Sequence, residues 1–157
     1  MSTPRVPTDL PSANTALLLA RAHGLIDAVV PLRLADHGHG AVRPAHGVVF
    51  QHLDESGTTV NTLAKRARMT KQAMAGLVAH LEAHGYVRRE PSEDDRRAKL
   101  VRLTDPGREV LALVARWVPE MEDRIGQALG EARRQQLRRD LAVICRVFED
   151  PESLREP

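Results

Sequence analysis

The sequence predicts a mainly helical α+β protein, and three observations lead to this fold class. Within residues 60–84, apolar side chains recur at three- and four-residue spacing in two successive runs, which is the period of amphipathic helices. Residues 86–89 and 99–103 then alternate apolar and polar side chains, which is the period of half-buried strands. Aromatic residues make up only 3% of the chain, so the core of the fold must be aliphatic.

The order of these elements over residues 59–104 is that of a winged helix-turn-helix. One helix is predicted over 60–68 and a second over 71–84, with a polar break between them and a glycine after the second. A charged loop over 90–97 joins the two predicted strands and forms the tip of a two-stranded wing. Two helices followed by a hairpin with arginines at its tip are suited to binding DNA rather than to converting a substrate.

Long helices are predicted on both sides of this segment. Gly24 and Pro31 are expected to weaken or bend the first, and Pro119 to kink or split the helix that Thr104 caps. The expected organisation is a flexible arm (1–11), a dimerisation helix with a linker (12–41), a winged helix-turn-helix DNA-binding domain (42–103), C-terminal dimerisation helices (104–149) and a flexible tail (150–157).

Positive charge is concentrated in the predicted winged segment. The whole chain has a net charge of +2, whereas residues 58–104 contain ten Lys or Arg against five Asp or Glu, a net charge of +5. A basic patch on a nearly neutral protein is typical of proteins that bind polyanions. A solvated charged face is the alternative for charges that stand alone, but their position on a winged helix-turn-helix favours DNA.

Composition also limits the compartment and the chemistry. No uninterrupted apolar run approaches the ~20 residues that span a bilayer, so no membrane partner is expected. The single cysteine, Cys145, excludes an internal disulfide, fits a reducing cytoplasm and is expected to be buried. We find no nucleophile–base arrangement and no glycine-rich phosphate loop, so neither an enzyme nor a cofactor is expected.

Two motifs resemble the MarR (multiple antibiotic resistance regulator) family of winged helix-turn-helix transcriptional regulators. The run DRRAKLVRLT at residues 95–104, followed by DPGR at 105–108, is similar to that family's wing and post-wing signature. Residues 63–64 and 77–87 are similar to its positioning and recognition helices. The sequence differs at Ala75 and Gly76, where many relatives carry Ser or Thr followed by Arg or Pro.

The resemblance implies a homodimeric transcriptional regulator, most simply a repressor. In the family, the terminal helices of two copies interlock, and two recognition helices then meet an inverted-repeat operator about one turn of DNA, ~34 Å, apart. Relatives often release DNA when a small aromatic or phenolic effector binds between the dimerisation helices and the DNA-binding lobe. Four residues are candidates for lining that site here: His23, His46, Phe50 and Trp117.

Candidate DNA contacts follow from the predicted helices. Thr70 is the expected N-cap of the recognition helix, which places Lys71 and Gln72 in the first turn that enters the major groove. Glutamine suits adenine, and lysine suits guanine or a phosphate. Three further polar residues on the same helix pair are candidates for phosphate contacts: Thr59, Asn61 and His80.

The wing supplies the remaining candidates. Aligned on the family motif, Arg97 is expected to enter the minor groove, where a narrow A·T tract concentrates negative potential. Arg96 is expected to lie toward the DNA backbone, with Lys99 and Arg89 as helpers. Asp95 is expected to stabilise the loop by pairing with an arginine, because a carboxylate that faces phosphates is repelled.

Seven histidines raise the hypothesis of a metal site. However, His37 and His39 flank glycine in a linker, and Arg108 and Glu109 stand where zinc-sensing relatives carry histidines, so no metal is expected. Two alternatives to an operator-binding regulator remain open, namely a winged-helix module that binds a protein and a metal-responsive sensor. A net charge of +5 on the winged segment is not needed for protein docking and favours the regulator.

Overall fold

The computed structural model describes residues 14–92 and 98–149 of the chain. In order, its elements are α1 (Thr15–Asp36), a 3-10 turn (Pro44–His46), α2 (Gly47–His52), β1 (Thr58–Thr59), α3 (Val60–Arg66), α4 (Lys71–Ala83), β2 (Val87–Pro91), β3 (Lys99–Leu103), α5 (Asp105–Leu129) and α6 (Glu131–Val147). The chain divides after Leu113 into two compact units, and α5 begins in the first and ends in the second.

The helix-turn-helix is built from residues that cap its helices. Thr59 accepts the backbone N–H of Thr62 at the start of α3, and Thr70 accepts that of Ala73 at the start of α4. After α4, Gly85 takes the left-handed backbone (φ +76°) that ends a helix at low cost in glycine. The predicted caps at Thr70 and Gly85 are therefore confirmed.

The sheet has one strand more than the predicted hairpin. Strands β2 and β3 pair antiparallel, with Val87 opposite Leu103 and Pro91 opposite Lys99. The two-residue strand β1 adds to the other edge of β3, with Thr58 opposite Val101, so the strand order is β1-β3-β2. A two-residue strand is too short to show an alternating pattern, which is why the sequence does not predict it.

The core of the first unit is aliphatic, as the composition predicts. Leu63 of α3 and the α4 residues Met74, Val78 and Leu81 are completely buried, as is Val101 of β3. The apolar side chains of α4 lie on one face of the helix, at the spacing that the sequence shows. One face of α4 is therefore fixed in the core, and the other is left to solvent.

Helix α5 begins at a close approach to the segment after α4. The Thr104 hydroxyl accepts the N–H of Gly107, as an N-cap does, and donates to the carbonyl oxygen of Gly85 at 2.5 Å. The predicted cap at Thr104 is confirmed. Pro119 lies inside α5 without splitting it, and Pro31 lies inside α1 in the same way.

The second unit contains the end of α5 and all of α6, which are joined at Gly130 (φ +81°). The Arg134 guanidinium binds the Glu122 carboxylate at 2.5 Å and that of Glu131 at 2.8 Å, which ties the two helices together. Helix α6 has no buried residue, and Cys145 is exposed on it. The expectation that Cys145 is buried is wrong for the single chain, because no part of the described chain covers the side of α6 that carries it.

Helix α1 also departs from an expectation drawn from the sequence. By length and composition it is apolar enough to cross a membrane, the one such helix in the described ranges, although no uninterrupted apolar run reaches that length. Within residues 15–32 only Arg21 and Asp27 carry a full charge, and two charges are too few to bring the mean hydropathy down to that of an ordinary surface helix. Core helices of soluble proteins satisfy the same criterion.

Candidate nucleic-acid interface

The first turn of α4 is the centre of the candidate interface. Thr70, Lys71 and Gln72 are all exposed, and the cap at Thr70 fixes where the helix begins. Because the apolar face of α4 is held in the core, the side chains of Lys71 and Gln72 point to solvent at the N-terminal end of the helix, the end that enters the major groove in helix-turn-helix proteins. No acidic residue lies in this first turn, so nothing within the turn opposes a polyanion.

Helix α3 presents its own first turn beside α4. Asn61 is exposed there, while the Thr59 hydroxyl already accepts the Thr62 N–H at 3.1 Å and lies 2.9 Å from the Thr62 hydroxyl. The side chain of Thr59 is therefore used first as a cap. A hydroxyl has two lone pairs and one hydrogen, so this role does not preclude a phosphate contact.

A buttress that the sequence analysis does not anticipate holds α3 in place. The Arg66 guanidinium donates to the Asp54 carboxylate and to the His52 carbonyl oxygen, each at 2.8 Å. The Thr58 hydroxyl donates to the same carboxylate at 3.0 Å and accepts the Asp54 N–H. The hydrogen bonds from Arg66 and Thr58 hold the pKa of Asp54 below its usual value.

The arginines of the wing strands are paired with carboxylates. The Arg89 guanidinium lies 3.3 Å from the Glu82 carboxylate of α4, and the Arg89 N–H donates to the same group. Glu90 lies between Arg88 at 2.5 Å and Arg102 at 3.2 Å. The Arg89–Glu82 pair joins β2 to α4 and partly neutralises Arg89, whereas the pairs of Glu90 lie within the sheet.

The positions of the other wing candidates differ. Lys99 is exposed at the first position of β3, opposite Pro91. Asp95, Arg96 and Arg97 lie outside the described residues.

His80 turns away from the first turn of α4 and into the body of the unit. Its Nε2 is 3.1 Å from the Ala41 carbonyl oxygen, and its ring stacks between those of His46 and His84. His80 on α4 and His84, its C-cap, have the His-x3-His spacing of a metal pair, so the expectation of no metal site overlooked one candidate pair. Stacked rings direct their nitrogen lone pairs side by side rather than toward one point. Within residues 14–92 and 98–149, no group of three or more His, Cys, Asp or Glu side chains is placed to hold a metal ion.

A crevice of about 430 Å³ lies within the first unit, between α1, α2 and α4. The polar residues that line it are His23, Asp27 and Gln51, and the rest of its wall is apolar. Its complete lining is His23, Asp27, Pro44, Ala45, Gly47, Val48, Gln51, Met69, Ala73 and Leu77.

Of the four predicted effector residues, only His23 lines this crevice. His46 and Phe50 are buried in the first unit, at 2% and 8% exposure, and Trp117 is a buried residue of the second unit. The presence of an aromatic or imidazole ring was therefore not enough to predict which residues line this crevice. Asp27, Val48 and Leu77 were missed because they look like ordinary helix residues in the sequence.

Comparison with known proteins identifies the class of domain. A sequence profile of the MarR family matches residues 42–98, which hold the helix-turn-helix and its wing. The transcriptional activatory protein BadR of Rhodopseudomonas palustris is 28% identical over 108 residues, which cover 69% of this chain and 61% of BadR. The transcriptional regulator HosA of Escherichia coli is 36% identical over 70 residues, which cover 45% of this chain and 52% of HosA.

Solved structures extend the similarity to nearly the whole chain. The transcriptional repressor CouR bound to a 23-mer DNA duplex is 26% identical, covers 90% of this chain and 99% of its own, and superposes with a TM-score of 0.70. CouR from Rhodococcus jostii RHA1 has also been solved with p-coumaroyl-CoA, at 24% identity and a TM-score of 0.68, over 91% of this chain and 97% of its own. The winged helix-turn-helix of this chain is thus a MarR-family domain, and the fold class and the family resemblance are both confirmed. The chain spans between half and two thirds of the length of the curated relatives, each of which is named as a transcriptional protein rather than an enzyme.

Proposed function

We propose that this protein is a homodimeric transcriptional regulator that binds an inverted-repeat DNA operator through α4 and the wing. The observation that carries the proposal is the exposed first turn of α4, where Lys71 and Gln72 follow a Thr70 cap on a helix held by its apolar face. Lys71 supplies charge for a phosphate or a guanine, and Gln72 supplies the paired donor and acceptor that suit adenine. Asn61 and Lys99 extend this surface toward the flanking phosphates.

A second copy of the chain is the partner that we propose for the exposed apolar helices. On α1, Leu25 and Leu32 are 63% and 70% exposed, and on α6, Val147 and Phe148 at its end are 51% and 57% exposed. Large apolar side chains that are exposed along a helix in this way mark a surface that binds another protein. Covering it with a second copy also supplies the second recognition helix that an inverted repeat requires.

We propose repression as the regulatory outcome and the cytoplasm as the compartment. CouR, which this chain matches over nearly its full length, is named a repressor, whereas BadR, which is matched over a shorter stretch, is named an activator. The DNA that a bacterial transcriptional regulator binds lies in the cytoplasm. The α1 leucines are then covered by protein rather than by lipid.

The crevice between α1, α2 and α4 is the site that we propose for an effector. Ala73 and Leu77 of α4 form part of its wall, so a compound bound there touches the recognition helix itself. CouR is known with p-coumaroyl-CoA, a compound with a phenolic group, which supports an aromatic or phenolic class of effector. Such a compound shifts DNA binding only if it has different affinities for the two conformations of the dimer.

Selection of bound fragments from sheared genomic DNA tests the proposal directly. We expect enrichment of fragments that share an inverted repeat, and an affinity for them that falls steeply with salt because phosphate contacts release counterions. The matched control is Lys71→Ala/Gln72→Ala, which should bind none of these fragments specifically while remaining folded. A protein-interaction module predicts no enriched sequence, and that result would refute the regulator.

A further inference from the structure

Three histidine rings form a continuous stack between the 3-10 turn and the C-terminal half of α4. The centroids of His46 and His80 are 4.6 Å apart with 21° between the ring planes, and those of His80 and His84 are 4.3 Å apart with 30° between them. His46 is 2% exposed, His80 is partly buried and His84 is exposed. The stack therefore runs from the interior of the first unit to its surface.

Backbone partners fix which nitrogen of each ring carries the hydrogen. The Arg43 N–H donates to His46 Nδ1 at 2.9 Å, so this nitrogen carries no hydrogen. His80 Nε2 lies 3.1 Å from the Ala41 carbonyl oxygen, and His84 Nδ1 lies 2.8 Å from the His80 carbonyl oxygen. A carbonyl oxygen only accepts, so both of these nitrogens donate. The described contacts thus suit three neutral rings.

Protonation of the rings is unfavourable in the geometry of this stack. A proton on His46 would occupy Nδ1, where it would face the Arg43 N–H and abolish the hydrogen bond that caps the start of the 3-10 turn. Protonation of two neighbouring rings would place like charges about 4.5 Å apart, in a region where His46 is shielded from water. The stack is consequently stable only while most of its rings are neutral.

The groups around His46 add no compensating negative charge to this effect. Arg43 precedes the turn, and His80 and His84 face it from the side of α4. On the α1 side, His23 and Asp27 line the crevice that borders the turn. His52 ends α2. Burial, followed by the positive charges of His80, Arg43 and His84, lowers the pKa of His46 to about 4. Asp27, the carboxylate on the α1 side, does not offset these effects.

We propose that the His46–His80–His84 stack is a pH-sensitive anchor of the recognition helix, which holds α4 against the 3-10 turn when its rings are neutral and releases it on acidification. His46 and His84 are then positioning residues, which affect DNA only through the placement of α4. The inference rests on the proposed function, because DNA binding is its outcome. It also assigns His80, a phosphate candidate from the sequence, to the interior of the protein.

The direction in which DNA affinity changes with pH distinguishes this anchor from the general effect of added positive charge. Protonated histidines add positive charge, and added charge strengthens binding to a polyanion. Most DNA-binding proteins with exposed histidines should therefore bind more tightly in acid. Release of α4 predicts the opposite for this chain, because a displaced recognition helix no longer fits the major groove.

Two substitutions remove one ring of the stack while keeping its hydrogen bond. In His46→Asn, the amide oxygen can still accept the Arg43 N–H, and in His84→Asn, the amide nitrogen can still donate to the His80 carbonyl oxygen. The matched control is His37→Asn. His37 Nδ1 lies 2.9 Å from the carbonyl oxygen of Arg33, four residues earlier, which is the arrangement of His84, but His37 is not part of the stack.

The experiment measures the affinity of full-length protein for the enriched operator between about pH 7.5 and pH 5.0 at constant ionic strength. The wild type and His37→Asn should weaken by roughly tenfold or more, because a released His46 returns to water, where its pKa is 6.5, and takes up a proton as the pH falls below that value. His46→Asn should weaken by less than about threefold, and His84→Asn should lie between the two, because the charge of His84 is the smallest of the causes that lower the pKa of His46. Wild-type binding that is unchanged or tighter in acid would overturn the anchor, as would a His46→Asn variant that keeps the full acid loss. If His46→Asn does not fold, hydrogen exchange of the wild type decides the matter.

A second measurement does not depend on DNA. The protection factors of the α4 backbone amides against hydrogen exchange in the free protein should fall between about pH 7.5 and pH 5.0 in the wild type and not in His46→Asn. Protection factors of the wild type that do not change with pH would overturn the anchor. If the protein binds no DNA at any pH, the proposed function fails, and hydrogen exchange still decides whether the stack responds to acid.

Discussion

Gly107, at the start of α5, faces the backbone carbonyl group of Tyr86 so closely that a Cβ atom at position 107 would lie 2.1 Å from the carbonyl oxygen. The same oxygen accepts the N–H of Thr104, so it cannot move away without breaking that bond. This contact gives a physical reason for the glycine in the run DPGR, which follows the wing. The first turn of α5 is seated directly on the segment that links α4 to β2.

Gly107→Ala should therefore destabilise the protein, although alanine normally favours a helix. Overpacking of this kind costs about 1–3 kcal/mol or more, which exceeds the gain in helix propensity of about 1 kcal/mol. Chemical denaturation followed by circular dichroism measures the difference. Gly76→Ala on α4 is the control, because a Cβ there meets no atom within 4 Å, and it should leave stability unchanged or raise it. Equal effects of the two substitutions would contradict the argument.

The local chemistry of single residues made the helix-turn-helix predictable. Thr70 and Thr104 are caps because a hydroxyl reaches the N–H three residues later, and Gly85 ends α4 because it tolerates a positive φ. Such signals lie within a few residues of each other in the chain. They are sufficient to place the elements of the winged domain, including the exposed first turn of α4.

Features that depend on distant parts of the chain were not predictable in this way. His46 and His80 are neighbours only because the 3-10 turn packs on α4, and Arg66 meets Asp54 only across the β1 segment. The pairing of Arg89 with Glu82 has the same origin. A sequence pattern shows the charge of such residues, but their partners are decided by tertiary packing.

The Asp54 buttress makes stability depend on pH in a defined direction. The pKa of Asp54 is lower in the folded protein than in the unfolded chain. The ionised carboxylate therefore contributes fully to the free energy of unfolding above the unfolded pKa of about 3.9, and this contribution is lost as the pH falls through the lower folded pKa. Asp54→Asn should be less stable than the wild type at neutral pH, and the difference should shrink toward about pH 3. Unfolding by urea across this range measures it. Glu55→Gln, at the exposed neighbouring carboxylate, should show no such convergence. A difference for Asp54→Asn that is independent of pH would mean that the charge has no role.

Gln72 and Lys71 should contribute to DNA binding in different ways, although they are adjacent. Gln72→Ala should cost about 1–3 kcal/mol on the operator and little on random DNA, because it loses a bidentate contact to a base. Lys71→Ala should weaken binding to both and reduce the log–log salt slope by about 0.9, as expected for one phosphate contact. Titrations by fluorescence anisotropy at several salt concentrations separate the two patterns. Equal losses on operator and random DNA for Gln72→Ala would assign Gln72 to the backbone.

The proposed dimer requires that the exposed leucines of α1 are buried against a second copy. Leu25→Glu and Leu32→Glu each place a charge in that surface, and burying an unpaired charge at an interface is strongly unfavourable. Both variants should sediment as monomers at micromolar concentration and lose operator binding, since a single recognition helix covers only one half-site. Ser56→Glu, which adds the same charge in the exposed loop before β1, should remain dimeric. Because both leucines are mostly exposed in the single chain, the circular dichroism of the monomeric variants should keep its helical form. Variants that remain dimeric would show that α1 is not the interface, and a wild type that sediments as a monomer would exclude the dimer altogether.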